Sequence, residues 1–381
     1  MAFLSWFRVK QRLGARFWVG LTATVVLGGC QSPPRPAPKP PPVAPVLAPV
    51  ISTPASPPPA PVRQGDEIIV AGRWFHTGTT VVTWMDPGGY DAYQNELRLK
   101  PLPKAKSGAK SIVKPVVPFF KTYGVREFVA ASGVAQPVRR GDLVALQQGV
   151  DQFVLHYDGS SVSSGCFSVL RQRGLSVHFL LDLDGTIYQT LDLEERALHA
   201  TIANDRSVGI EIANVGAHPA NDTKALNEWY HRDDQGRTQI RIPKAVGDPR
   251  IRTKNFVARP ARDARVRGVV QGLTLEQYDF TPEQYAALEK LAAALGRVFP
   301  QIKLDCPRDA AGRPLNHKLS DEEWVRFKGI LGHFHIQSNK QDPGPAFQWD
   351  KLVEGARELA NPVRPSRPPT AAASGQTSHP P

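Results

Sequence analysis

Fourteen of the 30 residues in 33–62 are proline, and this run decides where a fold can lie. Proline fixes φ and removes a backbone donor, so such a stretch can enter neither a helix interior nor a central strand. It carries no hydrophobic periodicity and reads as a stiff extended spacer. At about 3.1 Å per residue it would reach roughly 90 Å. Residues 361–381, rich in Pro, Ser, Ala and Thr, read as a disordered tail. A buried core must come from the residues between these two segments.

Upstream of the spacer, residues 1–29 read as a processing signal. Arg8, Lys10, Arg12 and Arg16 form a basic start, and 17–27 is an apolar stretch. It is shorter than the roughly 20 apolar residues of a membrane-crossing helix. Leu27-Gly28-Gly29-Cys30 follows. These residues resemble the bacterial lipobox, which implies cleavage before Cys30 and lipid on its thiol and new amino terminus. The plainer alternative is a signal peptide or uncleaved anchor beside an incidental cysteine. Two or more acyl chains would hold a protein durably on a membrane. The expected location is the cell envelope, on the periplasmic face of the outer membrane if the source is Gram-negative.

Loss of residues 1–29 removes four basic and no acidic side chains, so the net charge of +12 becomes +8. An exported basic chain suits an anionic wall polymer or a membrane surface better than nucleic acid. Beyond Cys30 only Cys166 and Cys306 remain; one disulfide and two buried thiols are both open.

Hydrophobic patterning places the elements. Residues 66–85 hold two β-rich runs split by His76-Thr77-Gly78, predicted as a hairpin, and 66–117 reads as a small β-rich region followed by a linker. The strongest strand signals are 152–157, 177–182, 186–190 and 208–214. Asp184-Gly185 forms the turn between the second and third. A helix is predicted over 282–299, with Thr281 as N-cap, Pro282 at the first helical position and Gln284 completing a capping box. Another helix runs from about 349 to 359, and a short one lies near Cys166. Strands early and helices late give a mixed α/β class, with a single mixed central β-sheet flanked by helices, over 118–360. Residues 217–275 interrupt the pattern; Lys and Arg outnumber Asp and Glu there, and the stretch reads as a long surface excursion.

Two histidines at predicted strand ends, His156 and His333, and a loop acid, Asp342, match the ligand needs of a catalytic zinc. Such a site takes three protein ligands and keeps one position for water. Each signal alone is weak, since Asp342-Pro343-Gly344 is first of all a turn. Glu211, in an otherwise apolar strand, is either a solvent-facing residue or a buried acid.

The ordered context goes further. Phe153-Val154-Leu155-His156-Tyr157-Asp158, Ser176-Val177-His178-Phe179 with Asp184-Gly185-Thr186-Ile187-Tyr188-Gln189, Ala197-Leu198-His199-Ala200, Ser207-Val208-Gly209-Ile210-Glu211-Ile212-Ala213-Asn214, and Gly332-His333 with Lys340 to Trp349 resemble type 2 N-acetylmuramoyl-L-alanine amidases. These are relatives of phage amidases and animal peptidoglycan recognition proteins. The resemblance covers about 150–215 and 275–358. It implies Zn2+ held by His156, His333 and Asp342, with Glu211 as proton acceptor and Lys340 steadying the oxyanion. It also implies a substrate-lining role for His199 and Asn214, while His178 reads as structural. Leu198 replaces the family's usual tryptophan. The His333–Asp342 loop is one residue shorter than the family pattern and lacks its usual proline, so His335 is a second candidate for the ligand at His333.

The implied reaction is hydrolysis of the amide between N-acetylmuramic acid and L-alanine in peptidoglycan. The alternative is a non-catalytic peptidoglycan-binding lipoprotein. The chain has no His-Glu-x-x-His helix, which disfavours the commonest zinc peptidases.

Overall fold

The computed structural model describes residues 63–94, 122–129 and 133–361. The signal, Cys30, the proline spacer, the linker that ends at residue 117 and the tail after residue 361 lie outside the described residues. All described residues belong to one unit, Pro61–Pro381.

Six strands form the central sheet: β1 (Val81–Thr83), β2 (Gln152–Tyr157), β3 (Phe179–Leu181), β4 (Ile187–Gln189), β5 (Ser207–Ile212) and β6 (Gly329–Gly332). Their spatial order is β6-β2-β5-β3-β4-β1. Every neighbouring pair is parallel except the β3–β4 hairpin. Parallel strands are covered on both faces, so a central one reads as an unbroken apolar run; β2, with the sequence QFVLHY, is buried along nearly its whole length. The mixed α/β class predicted from sequence is the fold observed.

Four helices of seven or more residues cover the sheet: α1 (Leu143–Gly149), α2 (Ser163–Arg173), α3 (Pro282–Val298) and α4 (Trp349–Ala360). Strand alternation divides the side chains between the two faces. Phe153, Leu155, Val208, Ile210 and Ile212 join Leu146 of α1, Leu288 and Leu291 of α3 and Val353 of α4 in the largest core. Leu180 of β3 packs on the other face with Cys166 and Leu170 of α2. The predicted capping box starts α3: Thr281 Oγ1 accepts from Gln284 N at 3.0 Å, and Gln284 Oε1 accepts from Thr281 N at 2.9 Å.

Three expectations are corrected. The N-terminal hairpin turns at Ala71-Gly72, between Glu67–Val70 and Arg73–His76; His76-Thr77-Gly78 instead leads into β1. The described part of 66–117 is no separate region, because β1 closes the central sheet against β4 and Ile68 and Val70 enter the main core. The stretch 217–275 is likewise structured. It holds the antiparallel sheet His218–Pro219, Val266–Val270 and Leu273–Gln277, the hairpin Tyr230–Arg232 with Thr238–Ile240, and a helix at Lys224–Trp229. A small core of Leu226, Tyr230, Ile240 and Ala258 supports them.

Candidate active site

The carboxyl ends of β6, β2 and β5 lie side by side, where open α/β sheets bind ligands. His156 stands next to last on β2 and Glu211 next to last on β5, paired in register. Gly332 pairs with Leu155, and His333 follows where the chain turns out of β6. Residues 209 and 211 face the same side as 156, so Gly209 and Glu211 look toward the two histidines.

There His156 Nδ1, His333 Nδ1 and Asp342 Oδ2 converge. The two nitrogens are 2.9 Å apart, and the oxygen lies 2.8 Å from the first and 3.0 Å from the second. The outer ring atoms are already engaged. His333 Nε2 donates to Gln337 Oε1 at 2.6 Å. His156 Nε2 faces His199 Nδ1 at 3.0 Å, and His199 Nε2 faces Ser207 Oγ at 3.3 Å. In a neutral imidazole one nitrogen donates and the other accepts. With the N–H groups on the outer nitrogens, three lone pairs meet with no proton among them.

This is the donor set a cation completes, and two imidazole nitrogens with a carboxylate oxygen suit Zn2+. Burial pushes His156 down to about 4, with the His333 ring adding to it, so its ring is neutral near pH 7. Burial works against ionisation of Asp342, but the two imidazoles outweigh it and hold the carboxyl below its usual range.

A cleft of about 330 Å³ opens on this cluster, lined among others by Tyr157, Asp158, Cys166, Arg173, His199, Glu211 and Lys340. Burial, and then the Asp342 and Asp158 carboxylates, push Glu211 well above the usual carboxylate range. A carboxyl so placed is a competent proton acceptor near neutrality. Burial also pushes Asp158 up to about 6, against three backbone N–H groups that hold its anion. Cys166 and Cys306 are both free and buried. Burial raises the Cys166 thiol well above its ordinary range, which makes it a poor nucleophile.

Residues 146–345 match the N-acetylmuramoyl-L-alanine amidase family. That is more than half of the chain, and it spans every cleft residue named above. The chain belongs to this family. Among solved structures it is similar to AmpD in a selenomethionine derivative, at 18% identity over 56% of this chain and 87% of that one, with a TM-score of 0.27. It is also similar to AmiD from E. coli, solved in complex with the substrate anhydro-N-acetylmuramic acid-L-Ala-D-gamma-Glu-L-Lys, at 18% identity over 60% and 65% with a TM-score of 0.32. A third is the endolysin LysCS from Clostridium intestinale URNW, at 15% identity over 56% and 86% with a TM-score of 0.29. No curated protein matches.

In this amidase His335 stands apart from the cluster. Its Nδ1 accepts from Gly332 N at 2.9 Å and its Nε2 donates to Leu315 O at 3.0 Å. Both nitrogens are spent holding backbone, and the buried group of His156, His333 and Asp342, whose ligand atoms lie close enough to hold a metal, contains His333 and not His335. Asn214, expected in the cleft, is not there. Its Nδ2 donates to Tyr278 O at 3.2 Å, and its Oδ1 accepts from Gly216 N at 2.8 Å and Gln277 Nε2 at 3.2 Å. It fastens the chain just past β5. His199 does line the cleft, but its two nitrogens are committed to His156 and Ser207, so it orients a candidate ligand. His178 is fully buried and accepts from Gly209 N at 3.1 Å, a structural part as read from sequence.

Sequence reasoning missed the braces on the His333–Asp342 loop. Gln277, two residues past the 217–275 stretch, donates to Pro343 O at 3.0 Å and accepts from Ala346 N at 3.0 Å. Gln271 donates to Phe334 O at 2.8 Å and Gln337 O at 3.1 Å. Thus the segment read as a surface excursion, together with the strand end that follows it, holds both ends of the loop that carries two of the three converging atoms.

Proposed function

We propose that this amidase is zinc-dependent and hydrolyses the amide between N-acetylmuramic acid and L-alanine in peptidoglycan, working in the cell envelope for wall remodelling or turnover. The observation that carries the metal reading is the convergence of three ligand atoms, His156 Nδ1, His333 Nδ1 and Asp342 Oδ2, within 3.0 Å. A zinc ion held there supplies Lewis acidity toward the scissile carbonyl and lowers the pKa of a bound water to about 7.

The protein's own groups do the rest. Glu211 takes the proton of the attacking water and returns it to the departing amine of L-alanine. Lys340 offers its ammonium to the oxygen on which negative charge develops. Gln337 and His199 fix the rings of His333 and His156, so no donor must reorient during turnover.

For the anchor, the support is the Leu27-Gly28-Gly29-Cys30 motif followed by the proline spacer. Cleavage before Cys30 and acylation there would leave the catalytic unit free to range from the membrane to the wall. Metabolic labelling with a radioactive fatty acid tests this, since a Cys30→Ser variant must lose the label.

The reaction is tested by incubating the mature protein with purified sacculi, with and without a chelator, beside Glu211→Gln. Stem peptides with a free L-alanine amino terminus should be released and should vanish in both controls. Retained binding to sacculi without release would identify a peptidoglycan-binding protein instead.

A further inference from the structure

Arg126 is the largest side chain buried without exposure, and it lies 20 residues before the segment that matches the family. Its carbonyl partners include no carboxylate. Nε donates to Leu193 O at 3.1 Å, while one terminal nitrogen reaches Asn204 O at 3.2 Å, Asp205 O at 2.7 Å and Ser207 O at 2.9 Å. The other terminal nitrogen stands 2.9 Å from His178 Nε2. Burial lowers this guanidinium to about 10, so it remains charged at neutral pH. A buried cation is tolerated only where hydrogen bonds replace its water, and here four backbone carbonyls do so.

Those partners converge on one loop. Residues 193–207 carry His199, and Arg126 grips this loop at its start and at its end. Asn204, whose carbonyl Arg126 holds, accepts from His199 N at 3.1 Å and Ala200 N at 2.7 Å through its side chain. Ser207, also held by its carbonyl, presents Oγ to His199 Nε2. On the far side of the ring, His199 Nδ1 meets His156 Nε2 at 3.0 Å.

We propose that Arg126 is a positioning residue for the His156–His333–Asp342 centre, acting through the 193–207 loop and the His199 imidazole. The segment around Tyr123–Val125, which pairs with Glu195–Ala197, is then a working part of the active site contributed from outside the family segment. The required chemistry is specific to arginine. Lysine has three donors and no planar fork, so it leaves at least one of these four carbonyls without a partner.

The proposal rests on the metal reading, and its test separates the two. Zinc affinity of wild type, Arg126→Lys, His199→Ala and the double variant is measured by competition with a chromogenic chelator. Steady-state kinetics on sacculi are taken at a temperature where each variant is folded. Arg126→Lys should weaken zinc binding by about tenfold or more and lower kcat with KM little changed. The same substitution in the His199→Ala background should add less than about twofold, because the path is already cut. A lowered Tm with unchanged zinc affinity, or losses that multiply in the double variant, would overturn the proposal. Failure of the wild type to take up zinc would sink the metal reading along with it. If Arg126→Lys does not fold, Ser207→Ala keeps the carbonyl that Arg126 holds and removes only Oγ. Zinc affinity unchanged by that substitution breaks the path and likewise overturns the proposal.

Discussion

Gly209 lies against the His199 ring: a Cβ added there would stand 2.5 Å from the imidazole Nδ1 and Cε1. The position is on β5, two residues before Glu211 and on the same face. Glycine is required for the close approach, and the ring it admits is the one that holds His156 Nε2. Gly209→Ala must push His199 outward and loosen His156. We expect kcat on sacculi to fall by about 10–100-fold, with a stability loss of about 1–3 kcal/mol from overpacking. Kinetics beside urea unfolding check this; a fall in stability alone would show that the ring does not orient His156.

His333 and His335 separate cleanly by metal content. His333→Ala removes one of three converging donors, so the purified variant should hold less than about one-tenth of an equivalent of zinc. His335→Ala should keep its zinc. It leaves Gly332 N and Leu315 O without their partner, costing about 1–3 kcal/mol for each buried group. Elemental analysis and thermal unfolding read the two outcomes, and zinc lost only in His335→Ala would reverse the assignment.

The sequence showed the central strands because buried parallel strands are apolar runs, and β2 was legible to the residue. The edge strand β1 was not, since three residues carry too little pattern to say which sheet they join. The 217–275 stretch misled for a related reason: its strands are short and their faces are half solvated, so charge dominates the composition. At the site, His156, His333, Asp342 and Glu211 were legible because their flanking motifs are local. Arg126 and Gln277 were not, because each acts on backbone far away in sequence. The family resemblance implied a cleft role for Asn214, yet its amide bonds Tyr278 O and Gly216 N, a demand no local motif announces.

Gln277 supplies the next prediction. It is wholly buried and bonded to Asn214, Pro343 and Ala346. Gln277→Leu keeps the bulk and strips every bond, leaving Pro343 O and Ala346 N unpaired at about 1–3 kcal/mol each. Because Pro343 follows Asp342, the carboxylate should also lose its fixed approach. Zinc should therefore raise the Tm of the variant by less than that of the wild type. Equal zinc-induced shifts would confine Gln277 to a stabilising role.

Asp182 gives a pH dependence whose sign can be worked out. The residue is fully buried at the end of β3, and its Oδ2 has no hydrogen-bond partner among the described residues. Burial pushes its carboxyl up to about 7 from the ordinary aspartate value of 3.8; the Leu183 N–H pulls the other way, and the charges of Asp184 and Asp158 add to the rise. Between those two values the folded state holds a proton that the unfolded chain has released. Stability contributed by this group therefore falls as pH rises from about 4 to about 7 and is level above that. Asp182→Asn does not titrate and keeps an oxygen for Leu183 N. Its advantage over the wild type should be small at pH 4 and full by pH 8, on the order of 4 kcal/mol at most. Urea unfolding of both proteins at several pH values tests this. Curves that run parallel from pH 4 to pH 8 would mean that Asp182 ionises in the folded state as it does in the unfolded one.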